Sequence, residues 1–129
     1  MKEPILIETN LFEHREVKLH FINSCCFGED FAAWLKQELS RRIGGDFQLS
    51  EIIQEDWGWG FWARHSNAPF WIGIGYVAEV EPNGSAQWGV FVEFDYGLNI
   101  FKRVFHRPDP SALATLETRI REVLATLRS

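Results

Sequence analysis

The sequence predicts an α+β domain: an antiparallel β-meander of five to six strands with a long C-terminal helix and a second helix (about 30–43) packed on it. Three observations predict this class. Aromatic and β-branched residues alternate with glycine over residues 57–77, the period of two expected of strands. Apolar residues recur at helical spacing over residues 31–43 and 113–127. The 129 residues, 46% of them hydrophobic, are enough for one core and predict a single domain, 1–129.

The N-terminal part of the chain predicts two strands. Residues 4–9 (PILIET) form a short apolar stretch. Residues 16–22 alternate more regularly, with three apolar side chains on one side and three polar side chains on the other. This second stretch therefore predicts a half-buried strand.

The first helix is predicted to begin at Glu29 and Asp30, because acidic side chains suit the positive end of the helix dipole. Gly44 and Gly45 are expected to stop it. Its apolar stripe consists of Phe31, Trp34, Leu35, Leu39 and Ile43. Residues 46–54 begin like a strand and then break the alternation, so their structure stays open.

Residues 57–77 are predicted to form a β-hairpin that turns at residues 65–68 and sets Arg64 opposite Pro69. One face then pairs Ala63, Phe61, Trp59 and Trp57 with Phe70, Ile72, Ile74 and Tyr76. The other face pairs Trp62 with Trp71, Gly60 with Gly73 and Gly58 with Gly75. A slip of one residue would scramble both faces, so this register is specific.

A second hairpin is predicted at residues 81–85 (EPNGS), which suit a three-residue turn with glycine in the left-handed position. Pairing Glu81 with Ser85 completes a three-stranded meander. On the apolar face it sets Tyr76 against Val90, Ile74 against Val92 and Ile72 against Phe94. On the other face it sets Gly75 against Phe91 and Gly73 against Glu93.

The C-terminal part predicts the long helix. Residues 96–107 fit either a strand or a short helix, and their β-branched and aromatic content favours the strand. Asp109 and Pro110 then signal a helix start, with Asp as the N-cap and Pro at the first helical position. The stripe that follows comprises Leu113, Leu116, Ile120, Val123 or Leu124, and Leu127. This helix is expected to cover the apolar face of the meander.

The face of the meander that bears glycine is the candidate binding surface. Glycine inside a strand costs roughly 0.5–1 kcal/mol relative to alanine, so a close approach by another element or a ligand is expected to offset it. The candidate binding residues are Trp62, Trp71, Phe91, Glu93, Gly58, Gly60, Gly73 and Gly75, with Gly89 also on the floor. Two alternatives to binding are that the first helix packs there with Trp34, or that Phe91 simply covers Gly75.

The sequence predicts no catalytic residues, metal site or cofactor. Cys25 and Cys26 precede a helix start, which stabilises a thiolate, but Glu29 and Asp30 oppose that effect. The four histidines show neither the HxH nor the HExxH spacing of metal sites. The acidic residues flank strands, where carboxylates are ordinarily solvated, which argues against an acid–base pair.

The charge balance restricts the partner. Thirteen Lys and Arg against eighteen Asp and Glu give a net charge of −5, which argues against nucleic acid. No apolar run reaches the ~20 residues of a membrane span, and the N-terminus lacks a signal-peptide core, so no membrane association and a cytoplasmic location are expected.

These observations favour a small acidic, non-enzymatic protein-interaction domain of inhibitor or immunity type. Its expected partner is a basic protein, or a second copy of the chain. The alternative is a small-ligand-binding domain that uses the aromatic and glycine face. A third hypothesis is a cysteine-dependent enzyme that uses Cys25 or Cys26.

Overall fold

The computed structural model describes residues 4–13, 27–45, 47–55, 58–65, 68–80, 85–94 and 110–128. The strands are β1 (Ile5–Thr9), β2 (Phe47–Leu49), β3 (Ile53–Glu55), β4 (Gly58–His65), β5 (Ala68–Val80) and β6 (Ser85–Phe94). The helices are α1 (Glu29–Ser40) and α2 (Pro110–Ala125), and a 3₁₀ turn over Thr126–Arg128 follows α2. This set of elements confirms the α+β class.

The strands form one antiparallel sheet in the order β1-β6-β5-β4-β2, and β3 also pairs with β4. Strands β4, β5 and β6 form the predicted meander. Strand β1, the first in the chain, pairs with β6. The described part of the ambiguous stretch, residues 47–54, holds β2 and the start of β3, and both strands lie on the outer edge of β4. The predictions for residues 16–22 and 96–107, for Cys25 and Cys26, and for Asp109 lie outside the described residues.

The predicted register of the first hairpin is confirmed over β4 and β5. The observed pairs include Trp59 with Ile74, Gly60 with Gly73, Phe61 with Ile72, Trp62 with Trp71, Ala63 with Phe70 and Arg64 with Pro69. Apolar side chains therefore meet on one face, whereas the other face pairs glycine with glycine and Trp62 with Trp71. A slip of one residue would exchange the two faces. The sequence pattern was therefore enough to predict the register of this hairpin.

The predicted register of the second hairpin is wrong by two residues. The observed pairs set Tyr76 against Trp88, Ile74 against Val90, Ile72 against Val92, Gly75 against Gly89, Gly73 against Phe91 and Trp71 against Glu93. Ser85 pairs with Val80, one residue before the predicted partner Glu81. A second single-residue shift occurs between Tyr76 and Ala78, where Val77 forms a bulge.

Each single-residue shift alone would move the side chains of β6 to the opposite face relative to β5. The two shifts together cancel this effect. Because side chains alternate with a period of two, a net slip of two residues leaves each side chain on its predicted side. Phe91 and Glu93 therefore keep their predicted face, although they meet different partners on β5.

Both helices pack on the apolar face of the sheet. One buried cluster contains Phe31, Leu35 and Leu39 of α1, Leu116, Ile120 and Val123 of α2, and Phe61, Ile72, Ile74, Trp88 and Val90 of the sheet. The alternative in which Trp34 carries α1 onto the glycine-bearing face is wrong. Its ring lies 5.5 Å from that of Phe12 and 6.1 Å from that of Phe31, both buried in this core.

Helix α1 is fixed at both ends. Gly28 precedes it with φ at 127°, a left-handed conformation that favours glycine. The Asp30 carboxylate accepts the backbone N–H of Phe31 at 2.9 Å and that of Glu13 at 2.7 Å, which ties the segment after β1 to the helix. The helix ends at Ser40, earlier than expected. The Arg42 N–H then bonds to the Leu39 carbonyl at 2.9 Å.

Candidate functional site

The surface of the sheet opposite the two helices is here called the glycine face. The strand register and the alternation of side chains assign to it Gly58, Gly60, Trp62 and Arg64 of β4, Trp71, Gly73 and Gly75 of β5, Gly89, Phe91 and Glu93 of β6, Leu6 and Glu8 of β1, and Ile53 and Glu55 of β3. All eight candidate binding residues therefore lie on one surface. The described helices leave this surface uncovered, since both belong to the core on the other side.

The indole of Trp71 lies over Gly60. A Cβ atom added at Gly60 would stand 2.5 Å from Cζ2 and 3.0 Å from Cε2 of Trp71, and it would also collide with the carbonyl oxygen of Ile72. Glycine at position 60 thus makes room for the indole, which is only 5% exposed. The close approach that a glycine in a strand demands comes here from a neighbouring side chain.

The ring of Trp62 is the more accessible of the two indoles. It is half-buried and packs edge-on against Trp71, with centroids 5.0 Å apart and planes at 62°. Such edge-to-face geometry is favourable for aromatic pairs. Trp71 therefore fills the surface, whereas Trp62 leaves part of its side chain exposed to solvent.

Ser50 fixes the backbone of Trp62. Its Oγ accepts the Trp62 N–H at 2.7 Å, and its own N–H donates to the Trp62 carbonyl at 2.9 Å. The outer edge strand is interrupted here: β2 pairs up to Ala63 and β3 starts again opposite Gly60. The serine hydroxyl accepts the Trp62 N–H, which in an uninterrupted edge strand would bond to a backbone carbonyl. Ser50 was not among the predicted binding residues, although the alternation of apolar side chains breaks just after it, at Ile52 and Ile53.

Replacing Ser50 by alanine is expected to lower the free energy of unfolding by about 1–2 kcal/mol, because the Trp62 N–H loses its acceptor in a part-buried position. Urea unfolding followed by Trp fluorescence measures the change. Ser40→Ala is the matched control, since the Ser40 hydroxyl bonds to a carbonyl at an exposed position. Equal unfolding midpoints for the two variants would contradict the role given to Ser50.

The steric surroundings of Gly58 and Gly89 differ. A Cβ at Gly58 would collide with the Ile74 carbonyl oxygen and stand 3.2 Å from the Gly75 Cα, so β4 approaches β5 too closely for a side chain. At Gly89 the nearest atom to such a Cβ would be the Pro4 Cβ at 3.5 Å, an ordinary contact. Packing therefore explains Gly58 and Gly60 and leaves Gly89 without a steric reason.

Apolar side chains are exposed at both margins of the glycine face. Leu6 on β1 lies opposite Gly89 and is 52% exposed. Ile53 on β3 lies opposite Gly60 and is 37% exposed. Together with the half-buried rings of Trp62 and Phe91, they give this surface an apolar character from one sheet edge to the other.

The charges assigned to the glycine face are mainly negative. The described residues supply three carboxylates, Glu8, Glu55 and Glu93, against one guanidinium, Arg64. Glu93 is half-buried opposite the nearly buried Trp71. Aromatic faces and carboxylates both attract cations, so the electrostatics of this surface suit a cationic group.

The other candidate chemistries find little support in the described residues. Among these, no group of three His, Cys, Asp or Glu side chains is placed to hold a metal ion. His65 packs against the ring of Phe47, with centroids 4.9 Å apart. In the same parts of the chain no helix is long and apolar enough to cross a membrane. The remaining histidines and both cysteines lie outside the described residues.

Comparison of the chain with protein-family models, with curated proteins and with solved structures found no match.

Proposed function

We propose that the chain is a non-enzymatic protein-interaction domain of inhibitor or immunity type that acts in the cytoplasm and binds a basic protein through its glycine face. The observation that carries this proposal is the sidedness of the sheet. Both described helices cover one face, whereas the other keeps apolar side chains in contact with solvent. Contiguous exposed apolar surface with a polar rim is typical of interaction sites.

The size and shape of the surface favour a protein over a small ligand. From Leu6 on β1 to Ile53 on β3 it crosses five strands, about 19 Å at 4.8 Å per strand spacing. Small-molecule sites are concave and enclose most of the ligand surface. The Trp71 indole also occupies the floor over Gly60, where a flat ligand would otherwise lie.

The charges favour a basic partner. The whole chain carries a net charge of −5, and the carboxylates Glu8, Glu55 and Glu93 outnumber Arg64 on the glycine face. Complementary charge speeds association and suppresses wrong partners, and it weakens as salt is added. The same repulsion between like faces disfavours self-association through this surface.

The test is affinity capture followed by measurement with the purified partner. Tagged wild type is expected to retain one basic protein from a lysate of the source cells, and Trp62→Ala is expected to weaken its binding by about tenfold or more, the effect of an aromatic anchor. Leu11→Ala is the control, since Leu11 is 67% exposed and follows β1 outside the sheet. Equal affinities of wild type and Trp62→Ala for the captured protein would refute the proposal.

A further inference from the structure

We infer that the basic partner adds an extended strand to the edge of β1, antiparallel to it, and bonds to the backbone of Leu6 and Glu8. This inference rests on the proposed function and adds to it the conformation and side-chain pattern of the bound segment. The side chains of Leu6 and Glu8 belong to the glycine face, so the added strand extends that surface by one strand.

The two edges of the sheet are built differently. On one edge, β2 and β3 are 3 residues long each, and the ladder is interrupted between them at Ser50. On the other edge, all 5 residues of β1 pair with β6 without a register shift. Short and irregular edge strands resist the addition of a further strand, whereas a regular edge strand is a template for it. Strand addition is therefore expected at β1.

The alternation of backbone bonds identifies the groups of β1 that point outward. In an antiparallel sheet, successive residues direct their N–H and C=O groups to opposite neighbouring strands. Trp62 on β4 bonds outward to Ser50. Followed through the registers of β5 and β6, this pattern directs the odd-numbered residues of β1 towards β6. Leu6 and Glu8 therefore point their N–H and C=O groups away from the sheet, and no described strand pairs with them.

Pro4 marks where this bonding edge begins. It precedes β1 at the next outward position, and proline has no N–H to donate. Leu6 and Glu8 each offer one donor and one acceptor. A segment of five residues, the length of β1, covers both of them.

The side chains beside these backbone groups define the sequence of the segment. Leu6 is 52% exposed, Glu8 is also exposed, and the described ion pairs do not include Glu8. In an antiparallel pair, the residue opposite Glu8 precedes the residue opposite Leu6 by two positions. The segment therefore carries Arg or Lys opposite Glu8 and an apolar residue two positions later. Backbone bonds supply affinity in this mode of binding, and the alternate side chains supply specificity.

A second copy of the chain suits this edge less well than a basic segment. An antiparallel pair of β1 strands centred on Ile7 would set each Glu8 opposite the Leu6 of the other copy, so no opposite charge would meet the carboxylate. Each copy also carries a net charge of −5, which opposes their association. A basic segment supplies the missing charge.

Amide hydrogen exchange of the isolated chain tests whether the edge is free. We expect the N–H groups of Leu6 and Glu8 to exchange at least about tenfold faster than that of Ile7, which points towards β6. Protection of Leu6 and Glu8 equal to that of Ile7 would show that another part of the chain, or a second copy, already pairs with β1. That result would overturn the inference.

The probe is the peptide acetyl-TRIVT-amide, titrated into the 15N-labelled full chain and followed by amide shifts. We expect saturable shifts at Leu6 and Glu8. Acetyl-TEIVT-amide, in which the charge is reversed, is expected to bind at least about fivefold more weakly. Methylation of the Arg and Val nitrogens removes both donors to β1 and is expected to abolish the shifts. Methylation of the Ile nitrogen, which points away from β1, is the matched control and is expected to change the affinity less than about twofold.

Two variants of the chain separate the backbone bond from the charge. Glu8→Pro removes both the outward N–H and the carboxylate, and we expect it to weaken binding of acetyl-TRIVT-amide at least about tenfold. Glu8→Ala removes the carboxylate alone, and we expect a loss of about twofold to fivefold. Glu122→Ala, which removes an exposed carboxylate of α2, is expected to leave binding unchanged. Proline is tolerated at outward positions of edge strands, and the methylated peptides test the same bonds if Glu8→Pro does not fold.

The inference is also overturned if acetyl-TRIVT-amide gives no saturable shifts at Leu6 and Glu8, if methylation of its Arg and Val nitrogens has no effect, or if Glu8→Pro and Glu8→Ala bind it alike. Such a result leaves the proposed function standing where capture of the intact partner still depends on Trp62. Both fail where the captured protein is indifferent to Trp62 as well.

Discussion

Replacing Gly60 by alanine is expected to lower the free energy of unfolding by about 1–3 kcal/mol, the range of an overpacked buried site. The added Cβ meets the Trp71 indole at 2.5 Å and collides with the Ile72 carbonyl oxygen. The indole is nearly buried and the carbonyl belongs to the neighbouring strand, so neither can yield without moving β5. Valine at this position is expected to cost more, and to disturb the glycine face more than the apolar one.

Gly89→Ala is the matched control, because it also adds one methyl group to a central strand of the same face. Its Cβ makes only ordinary contacts, at 3.5 Å or more, with Pro4 and Leu6. The higher cost of ordering glycine then makes alanine neutral or stabilising by up to about 1 kcal/mol. Chemical unfolding of both variants measures the contrast. Equal stabilities of the two variants would show that the indole does not depend on the space at Gly60.

Replacing Trp71 by alanine is expected to lower the free energy of unfolding by about 3–5 kcal/mol, as for other buried Trp residues. The indole is 5% exposed, although it belongs to the face opposite the helices. Its loss uncovers Gly60 and removes the edge-to-face contact with Trp62. Thermal and urea unfolding monitored by circular dichroism measure the change.

A double-mutant cycle with Gly60→Ala sharpens this prediction. In the Trp71→Ala background, Gly60→Ala is expected to cost at least about 1 kcal/mol less than in wild type, because the added methyl no longer meets the ring. The residual cost reports the collision with the Ile72 carbonyl. Additive costs would mean that the ring and the glycine do not interact, and a Trp71→Ala variant as stable as wild type would mean that the ring is not packed.

The sequence predicted the first hairpin to the residue because two patterns had to agree there. Apolar residues and glycines alternate on both strands, and one register alone matches Trp62 with Trp71 and Gly60 with Gly73. The helices were predictable for a related reason, since their apolar stripes recur at helical spacing and end near glycine or begin at proline.

The register of the second hairpin could not be predicted from the sequence. The pairing of Ser85 with Val80 and the bulge at Val77 each shift the register by one residue, and together they leave the alternation of faces intact. The pattern of hydrophobic and polar residues therefore could not reveal them. The side on which α1 packs was equally undetermined, because Trp34 fits the apolar face as well as the glycine face by composition alone.

The candidate site was predictable as a set of residues but not as a set of roles. Alternation placed Trp62, Trp71 and the glycines on one face. It could not show that the Trp71 indole folds over Gly60, since that depends on a side-chain rotamer. It also could not show the bond from Trp62 to Ser50, which joins residues twelve positions apart across an interrupted edge strand.

Hydroxyl-radical footprinting of the domain with its captured basic partner tests the central claim, that the glycine face is the binding surface. We expect the partner to slow the oxidation of Leu6 and Trp62, because burial in an interface core excludes solvent. Leu11, which lies outside the sheet, is expected to react at its free rate. Protection of the exposed surfaces of α1 and α2, with Leu6 and Trp62 unchanged, would contradict the account.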